Sequence, residues 1–273
     1  MDGMMERRCG PGGMMVDAAG RGAPVVLVHG GGIAGEAAWR GQAALAGRWR
    51  LLMPYRIGYA PSRDDVAEDF QRDAPLVAAL LGDGAHLVGH SYGGLVALLA
   101  AALRPEALWS LTVIESGSSA VARGHPAVDR FETAMHALAA ATRSGRGADP
   151  DRHVRALFRL TWPSLELPDV LPEALAGFAR RLPDMRWPTE AVIPLAALAA
   201  APFPKLHVSG GHNPVYEAIT DRLAAGIGGE RCCLPGGGHA PHRFADRFNP
   251  ILERFLTAAE AGGHAAKAGG HAG

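Results

Sequence analysis

Short runs of branched apolar residues alternate along this chain with longer stretches in which apolar and charged residues mix. The clearest run is Pro24–Val28, and others follow at 49–53, 86–88, 111–114 and 205–209. Uninterrupted apolar runs of this length are typical of strands buried on both faces. Residues 36–47 and 66–81 lie between such runs and have helical spacing. This rhythm predicts a doubly wound α/β fold.

The stretch between residues 117 and 201 breaks the rhythm. Four short helical patterns, at 126–143, 151–160, 171–182 and 189–200, follow one another there with proline and glycine between them and no strand signal. We therefore expect 118–200 to form a helical cap inserted into an α/β core made of 21–117 and 201–257. The glycine- and methionine-rich residues 1–20 are predicted to be a flexible arm. The Gly, Ala and His tail 258–273 is predicted to be disordered.

Composition and charge narrow the class of protein. The 273 residues are 48% hydrophobic and carry 27 basic and 27 acidic side chains, which gives no basic footprint for nucleic acid or for a membrane surface. The three cysteines, Cys9, Cys232 and Cys233, show no disulfide framework and no metal-type spacing. We find no membrane span and no signal-peptide core. These features predict a cytoplasmic enzyme with a small-molecule partner; they leave its oligomeric state open.

The stretch 85–100, AHLVGHSYGGLVALLA, predicts a buried strand, an abrupt turn and an apolar helix. Ser91 lies at the centre of its G-x-S-x-G pattern. A serine on such a turn occupies strained backbone, and glycines two residues away on either side relieve the crowding. The N-terminus of the following helix favours an oxyanion at the same point. Ser91 is therefore the predicted nucleophile.

Three segments together resemble the α/β-hydrolase family: His29-Gly30-Gly31-Gly32, Gly89–Gly94 and Gly238-His239. The resemblance covers roughly residues 20 to 257. It implies a mostly parallel sheet with helices on both faces, a helical cap over the site, and a triad in the chain order Ser, Asp or Glu, His. Residues 54–62 resemble the family's D-x-R-G-x-G-x-S loop but depart from it, because Tyr55 stands about where an acid is usual.

Backbone amides and one histidine complete the predicted chemistry. The glycine loop after Val28 lets amides approach a substrate oxygen, so the N–H of Gly31 and that of Tyr92 are the predicted oxyanion donors, with Gly32 as an alternative. His239 lies in a glycine-rich loop that can bring its ring over Ser91 as general base. His242 is an alternative base. A metal site at this histidine pair lacks further ligands, so we expect no metal and no cofactor.

Two positions compete for the acid. Glu115 ends the strand 111–114, at the sheet edge where α/β sites lie. Asn213 follows the later strand, where the resembling pattern usually carries Asp. Because an amide cannot stabilise an imidazolium with charge, Glu115 is the predicted acid. An acid after the earlier strand, together with Leu234-Pro235 before His239, is similar to lactonases of the zearalenone-hydrolase type.

Large apolar side chains of the predicted cap are the candidates for a substrate-facing wall. They are Phe131, Met135, Phe158, Leu160, Trp162, Phe178, Met185 and Trp187. The predicted reaction is hydrolysis of an ester or lactone bond of a largely apolar small molecule through an acyl-enzyme intermediate. Thioester hydrolysis, carbon–carbon cleavage of diketones and perhydrolysis are open to the same triad. Two other classes of function also remain open: a ligand-binding receptor without turnover, and a cofactor-free lyase or cyclase in which His239 moves protons.

Overall fold

The computed structural model describes residues 5–145 and 149–269, with side chains up to residue 262. Its strands form one eight-stranded sheet. They are β1 (Glu6–Cys9), β2 (Met15–Ala19), β3 (Pro24–Val28), β4 (Arg50–Pro54), β5 (Ala85–His90), β6 (Leu108–Ile114), β7 (Lys205–Ser209) and β8 (Glu230–Cys233). Their order across the sheet is β1-β2-β4-β3-β5-β6-β7-β8. Strands β3 to β8 run parallel, and β2 is antiparallel to its neighbours β1 and β4.

Helices connect the strands and cover both faces of the sheet. They are α1 (Gly35–Ala38), α2 (Phe70–Leu80), α3 (Tyr92–Leu103), α4 (Pro126–Ser144), α5 (Pro150–Thr161), α6 (Glu173–Arg181), α7 (Leu195–Ala200), α8 (Pro214–Ile227) and α9 (Ala245–Gly269). Short 3-10 turns lie at Pro11–Gly13, Arg40–Gly47, Pro105–Ala107, Ser119–Ala122, Leu182–Asp184, Pro188–Glu190 and Pro241–Arg243. None of the helices within the described residues has both the length and the apolarity needed to cross a bilayer.

Strand β3 shows why this sheet is buried on both faces. Val26 and Val28 belong to the apolar cluster that also contains residues of α2, α3 and α8. Val25 and Leu27 belong to the cluster formed with Trp49 and with residues of α9. Successive side chains of a strand point to opposite faces, so both sets must be apolar. The α/β fold with helices on both faces is therefore confirmed.

The N-terminal residues differ from the predicted flexible arm. Strands β1 and β2 form a hairpin on the sheet edge, and Met14 and Val16 are fully buried. The buried carboxylate of Asp17 accepts hydrogen bonds from Arg7 at 2.7 Å and from the hydroxyl of Tyr55 at 2.7 Å. The charged residue Asp17 interrupts the apolar pattern of the short strand β2, so the sequence did not indicate a buried strand there. Its partner Tyr55 lies 38 positions away in the sequence. Residues 1–4 lie outside the described residues.

The predicted disordered tail also differs in part. Helix α9 continues past residue 258 to Gly269. Phe255, Leu256 and Ala259 are buried, and Glu260 accepts a 2.6 Å hydrogen bond from the indole of Trp49. These contacts hold α9 against the sheet as far as Glu260, four residues beyond Leu256, its last large buried apolar side chain. Residues 270–273 lie outside the described residues.

The segment 118–200 contains α4 to α7 and no strand among its described residues. It enters the chain between β6 and β7, and those two strands remain direct neighbours in the sheet. Side chains of α4, α5 and α6 line a cavity together with residues that follow β3 and β5. The insertion therefore leaves the sheet intact and adds a wall above the carboxyl ends of its strands.

Candidate active site

The site lies where the direction of the strand order reverses. Strands β3 and β5 are neighbours, but β4 lies outside β3 and β6 lies outside β5. Connections leaving β3 and β5 therefore diverge to opposite faces and open a crevice at the carboxyl ends of these strands. The loop His29–Gly32 follows β3 and Ser91 follows β5, so both reach this crevice.

Ser91 occupies the single residue between β5 and α3, with φ 54° and ψ −119°. This left-handed backbone is strained for a residue with a side chain. The neighbouring glycines explain how the turn can form: a Cβ at Gly93 would overlap the carbonyl oxygens of Val28 and His29, and one at Gly89 would overlap that of Gly93. The turn points the Ser91 hydroxyl into the crevice at the N-terminus of α3.

His239 connects Ser91 to Glu115. Its Nε2 lies 2.8 Å from the Oγ of Ser91, and its Nδ1 lies 3.1 Å from the Oε2 of Glu115. Because a carboxylate only accepts, Nδ1 carries the proton and Nε2 accepts the hydrogen bond of the serine hydroxyl. His239 is 6% exposed and Glu115 is fully buried. The structure therefore brings together the three side chains that were predicted as nucleophile, base and acid.

Glu115 itself lies on strained backbone, with φ 47°, directly after β6. Its Oε1 accepts a 2.6 Å hydrogen bond from the amide of Gly210, and its Oε2 accepts a second histidine, His212, at 3.0 Å. Burial opposes ionisation, but the hydrogen bonds from His212, His239 and Gly210 outweigh it and lower the pKa of Glu115. The carboxylate is thus kept ionised in a buried position.

The side chain of Asn213 makes its hydrogen bonds to groups other than His239. Its side-chain oxygen accepts from the amide of Val215 at 3.0 Å and caps the N-terminus of α8. Its amide nitrogen donates to the carbonyl of Leu160 on α5 at 3.2 Å. Asn213 therefore fixes a helix and ties it to the inserted segment.

His242, the alternative base, packs between Trp39 and His90, with ring centroids 4.8 and 4.4 Å away. Burial, with Arg243 and His239 nearby, lowers the pKa of His242 to about 3. His90 lies beside it and its Nε2 donates to the carbonyl oxygen of His239 at 2.6 Å. These two rings support the loop of His239, whereas His239 alone of the three bonds to Ser91.

The predicted oxyanion donors lie on either side of Ser91. Gly31 belongs to the loop after β3, and Tyr92 is the first residue of α3. Within the described residues neither amide has a hydrogen-bond acceptor. The amide of Gly32, the alternative donor, is already used, because it donates to the hydroxyl of Tyr59 at 3.0 Å. Gly31 and Tyr92 thus keep free N–H groups.

A buried network that the sequence analysis did not assign holds this loop. The guanidinium of Arg56 donates to the carbonyl oxygens of His29 and Gly30, each at 3.0 Å, and pairs with the carboxylate of Glu68. The hydroxyl of Tyr59 donates to the same carboxylate at 2.6 Å. Glu68 lies twelve residues from Arg56, near the start of the predicted helical stretch 66–81, where a charged side chain is usually exposed, so the sequence gave no signal for the pairing.

A cavity of about 350 Å³ opens onto Ser91 and His239. Its wall is mainly apolar, a character suited to binding organic small molecules. Predicted side chains that line it are Phe131, Met135, Phe158, Trp162, Phe178 and Met185, along with Gly31 and Gly32. Tyr216 of α8 also lines it, with its ring centroid 4.4 Å from that of His239. Tyr216 was not predicted as a site residue, because the segment after Asn213 was given no role in substrate binding.

Two residues of the predicted wall lie elsewhere. Trp187 is 1% exposed, packs inside the apolar cluster and is not among the residues that line this cavity. Leu160 is not among the residues around the cavity; its carbonyl binds Asn213 instead. An aromatic residue in an inserted helical segment can face either the substrate or the segment's own core, and the sequence pattern is the same for both.

Glu115, His212 and His239 have the side-chain types of a metal site, and their donor atoms lie within 4.8 Å of one another. Both histidine nitrogens already donate to one oxygen of Glu115, at 3.0 and 3.1 Å. A cation at this position would replace both protons and separate His239 from its carboxylate. The observed contacts fit an acid and base arrangement around Ser91.

Part of the chain is similar in sequence to a known enzyme. Over 111 residues the chain is 39% identical to the pimeloyl-[acyl-carrier protein] methyl ester esterase of Aeromonas hydrophila subsp. hydrophila. The match covers 40% of this chain and 43% of the relative, less than half the length of either.

Solved structures match over nearly the whole chain. An esterase from Thermogutta terrifontis superimposes with a TM-score of 0.63 at 19% identity, over 94% of this chain and 99% of the other. The N-acyl homoserine lactonase AidH gives a TM-score of 0.66 at 19% identity, over 94% and 97% of the two chains. At this identity the likeness is one of fold.

The sequence pattern of one protein family also matches most of the chain. It extends over residues 25–251, from strand β3 into helix α9, and so includes the segments of Ser91, Glu115 and His239. With the sheet order and the serine turn described above, this match shows that the chain belongs to the alpha/beta hydrolase family.

Proposed function

We propose that this protein is a serine hydrolase that cleaves an ester or lactone bond of a largely apolar small molecule through an acyl-enzyme intermediate. The observation that carries the proposal is the pair of hydrogen bonds of His239, 2.8 Å to the Ser91 hydroxyl and 3.1 Å to the Glu115 carboxylate, at the end of an apolar cavity. A serine that donates to a buried, acid-oriented imidazole is an activated nucleophile.

The steps follow from these contacts. His239 takes the proton of Ser91 as its oxygen attacks the substrate carbonyl, and Glu115 holds the ring and balances the charge of the imidazolium. The N–H groups of Gly31 and Tyr92 stabilise the tetrahedral oxyanion. His239 then gives its proton to the leaving alcohol oxygen, and a water molecule, deprotonated by the same ring, releases the acid and frees Ser91.

The cavity supports the apolar substrate class. Phe131 and Met135 on α4 and Phe158 on α5 face it from the inserted segment, which we propose acts as the cap. A pocket of about 350 Å³ matches a small organic molecule rather than a polymer. The Aeromonas relative is named for a methyl ester esterase, which supports an ester as the bond that is cleaved.

Labelling with a fluorophosphonate probe, followed by intact-mass measurement, tests the nucleophile. We expect one adduct on the wild type, none on Ser91→Ala, and an unchanged adduct on the control Ser164→Ala, whose residue is exposed on the inserted segment. A panel of acyl esters and lactones with graded chain length then defines the substrate. A wild type that hydrolyses nothing in the panel and takes no label, with the probe shown to displace a bound dye, would contradict the proposal and favour a receptor.

The turnover of the Ser91→Ala variant distinguishes the proposed hydrolase from a lyase. In a lyase that uses only proton transfer by His239, Ser91→Ala would reduce turnover slightly, because no acyl-enzyme forms. Under the proposed mechanism Ser91→Ala loses hydrolysis by about a million-fold, as expected when a covalent nucleophile is removed.

A further inference from the structure

The carboxylate of Glu115 has an unusual second partner. His212, in the loop between β7 and α8, places its Nε2 3.0 Å from the Oε2 of Glu115, the same oxygen that accepts from His239 at 3.1 Å. The side chain of His212 is 8% exposed, and its ring stacks on that of Tyr216 with centroids 5.8 Å apart and planes 22° apart. His212 is thus held in one orientation beside the acid.

The hydrogen-bond pattern fixes the form of this ring. Because Glu115 only accepts, the Nε2 of His212 must carry a proton. Its Nδ1 is buried without a partner in the described part of the chain. A second proton there would leave a buried donor unsatisfied as well as a charge, so the geometry favours a neutral ring that acts as a donor.

We infer that His212 is a positioning residue, which holds the Glu115 carboxylate ionised and in line with His239 by donating to the oxygen they share. This inference rests on the serine-hydrolase function proposed above. Three donors from two loops surround the carboxylate: Gly210 N–H on Oε1, and the two histidines on Oε2. Without His212, Oε2 keeps one donor, and a buried carboxylate on a strained residue loses one restraint on its plane.

The groups around this contact are few. His239 faces the carboxylate from the loop after β8, and Tyr216 faces His212 from α8. Glu217, the next residue on α8, accepts a hydrogen bond from the amide of Gly211 and pairs with Arg231 on β8. The carboxylate of Glu115, with its pKa lowered, and the phenol of Tyr216, with its pKa raised by burial, are therefore both kept in one protonation state beside the two histidines.

The test compares His212→Leu with His212→Gln. Both variants lose the ring that stacks on Tyr216, but only glutamine can still donate to Glu115. We expect His212→Leu to lower kcat about 10- to 100-fold, the value of a hydrogen bond to a charged group, with KM nearly unchanged. Because the hydrogen bond from His212 helps to lower the pKa of Glu115, its loss raises that pKa, and the acid limb of the kcat/KM profile moves to higher pH. His212→Gln should recover most of both effects.

The exposed residue His136 supplies a control, and His136→Leu should leave kcat and the pH profile unchanged. Thermal unfolding of each variant shows that it is folded at the assay temperature. If His212→Leu keeps the wild-type kcat and acid limb, or if His212→Gln is as impaired as His212→Leu, the positioning role is wrong while the proposed function stands. A wild type that neither labels at Ser91 nor hydrolyses any ester overturns both.

Discussion

Replacing Glu115 with glutamine tests the arrangement around His239 most directly. The substitution keeps the shape of the side chain but turns one of its two oxygens into an NH₂ group. Every contact of this carboxylate is to a donor: the amide of Gly210 lies 2.6 Å from Oε1, and His212 and His239 lie 3.0 and 3.1 Å from Oε2. Whichever way the new amide turns, its NH₂ faces at least one N–H.

The two orientations have different costs. With NH₂ towards the histidines, His239 must accept at Nδ1 and carry its proton on Nε2, where it can no longer take the proton of Ser91. The wrong tautomer of this kind lowers kcat by about ten-thousand-fold. With NH₂ towards Gly210, the tautomer is kept, but the neutral amide cannot balance the charge of the imidazolium, so kcat falls in this orientation too. Two donors also oppose each other in a buried place, and the folded state loses about 1–3 kcal/mol. We therefore expect a large fall in kcat, a small change in KM and a lower free energy of unfolding.

Steady-state hydrolysis of an activated acyl ester measures kcat and KM, and the rate of fluorophosphonate labelling reports on Ser91 alone. Glu132→Gln is the matched control, because Glu132 is also a buried carboxylate, bonded to Ser119 and Arg123 outside the cavity. It should lose stability but keep kcat. A Glu115→Gln variant with kcat within about tenfold of the wild type, by the scale of triad mutations, would refute the assignment of the acid.

Three further predictions follow from buried contacts and from the cavity. The Tyr59→Phe variant leaves the amide of Gly32 without its acceptor and removes a donor to Glu68. We expect kcat for ester hydrolysis to fall about tenfold, which corresponds to the loss of one hydrogen bond in the loop after β3. An unchanged kcat would contradict a role of Tyr59 in holding this loop. Phe131→Ala should raise KM for long acyl chains, whereas Trp187→Phe, outside the cavity, should lower stability and leave KM unchanged. Because the pKa of His242 is lowered from 6.5 to about 3, the unfolded chain binds a proton between these pH values that the folded chain does not. The free energy of unfolding, measured with urea, should therefore fall as the pH is lowered through this range, by up to about 1.4 kcal/mol per pH unit for this group. The His242→Phe variant should show a smaller slope.

The sequence was sufficient for the parts of the site that depend on local backbone. Ser91 could be predicted because the glycines at 89 and 93 are required by overlaps with neighbouring carbonyl groups, and these leave a fixed spacing. The strands on either side are uninterrupted apolar runs, so the order of elements could be predicted as well. The sheet register and the neighbours of each strand came only from the structure.

The parts that escaped prediction are contacts between distant segments. Arg56 and Glu68 form a buried pair, and neither residue type in a loop indicates burial, since charged side chains are usually exposed. His212 was not predicted for a similar reason: its proposed role depends on a hydrogen bond to Glu115, which lies 97 positions earlier in the sequence. Trp187 shows the opposite case, in which an aromatic residue that was expected to face the substrate packs in the apolar cluster and does not line the cavity.

The position of the acid follows from the pairing of β6 and β7. Ile114 lies opposite Val208, and the amide of Glu115 donates to the carbonyl of Val208 at 2.9 Å, so Glu115 ends its strand beside the start of the loop 210–213. The two strand ends at which an acid was expected are therefore neighbours in the sheet. Once the earlier strand supplies the carboxylate, the later loop is free to carry other groups, and here it carries donors to that carboxylate, the amide of Gly210 and the ring of His212. We expect a variant that restores an acid to the later loop, Asn213→Asp, to give no gain in kcat, because Asn213 points to the amide of Val215 rather than to His239. A gain in kcat would show that the two positions compete for the same ring.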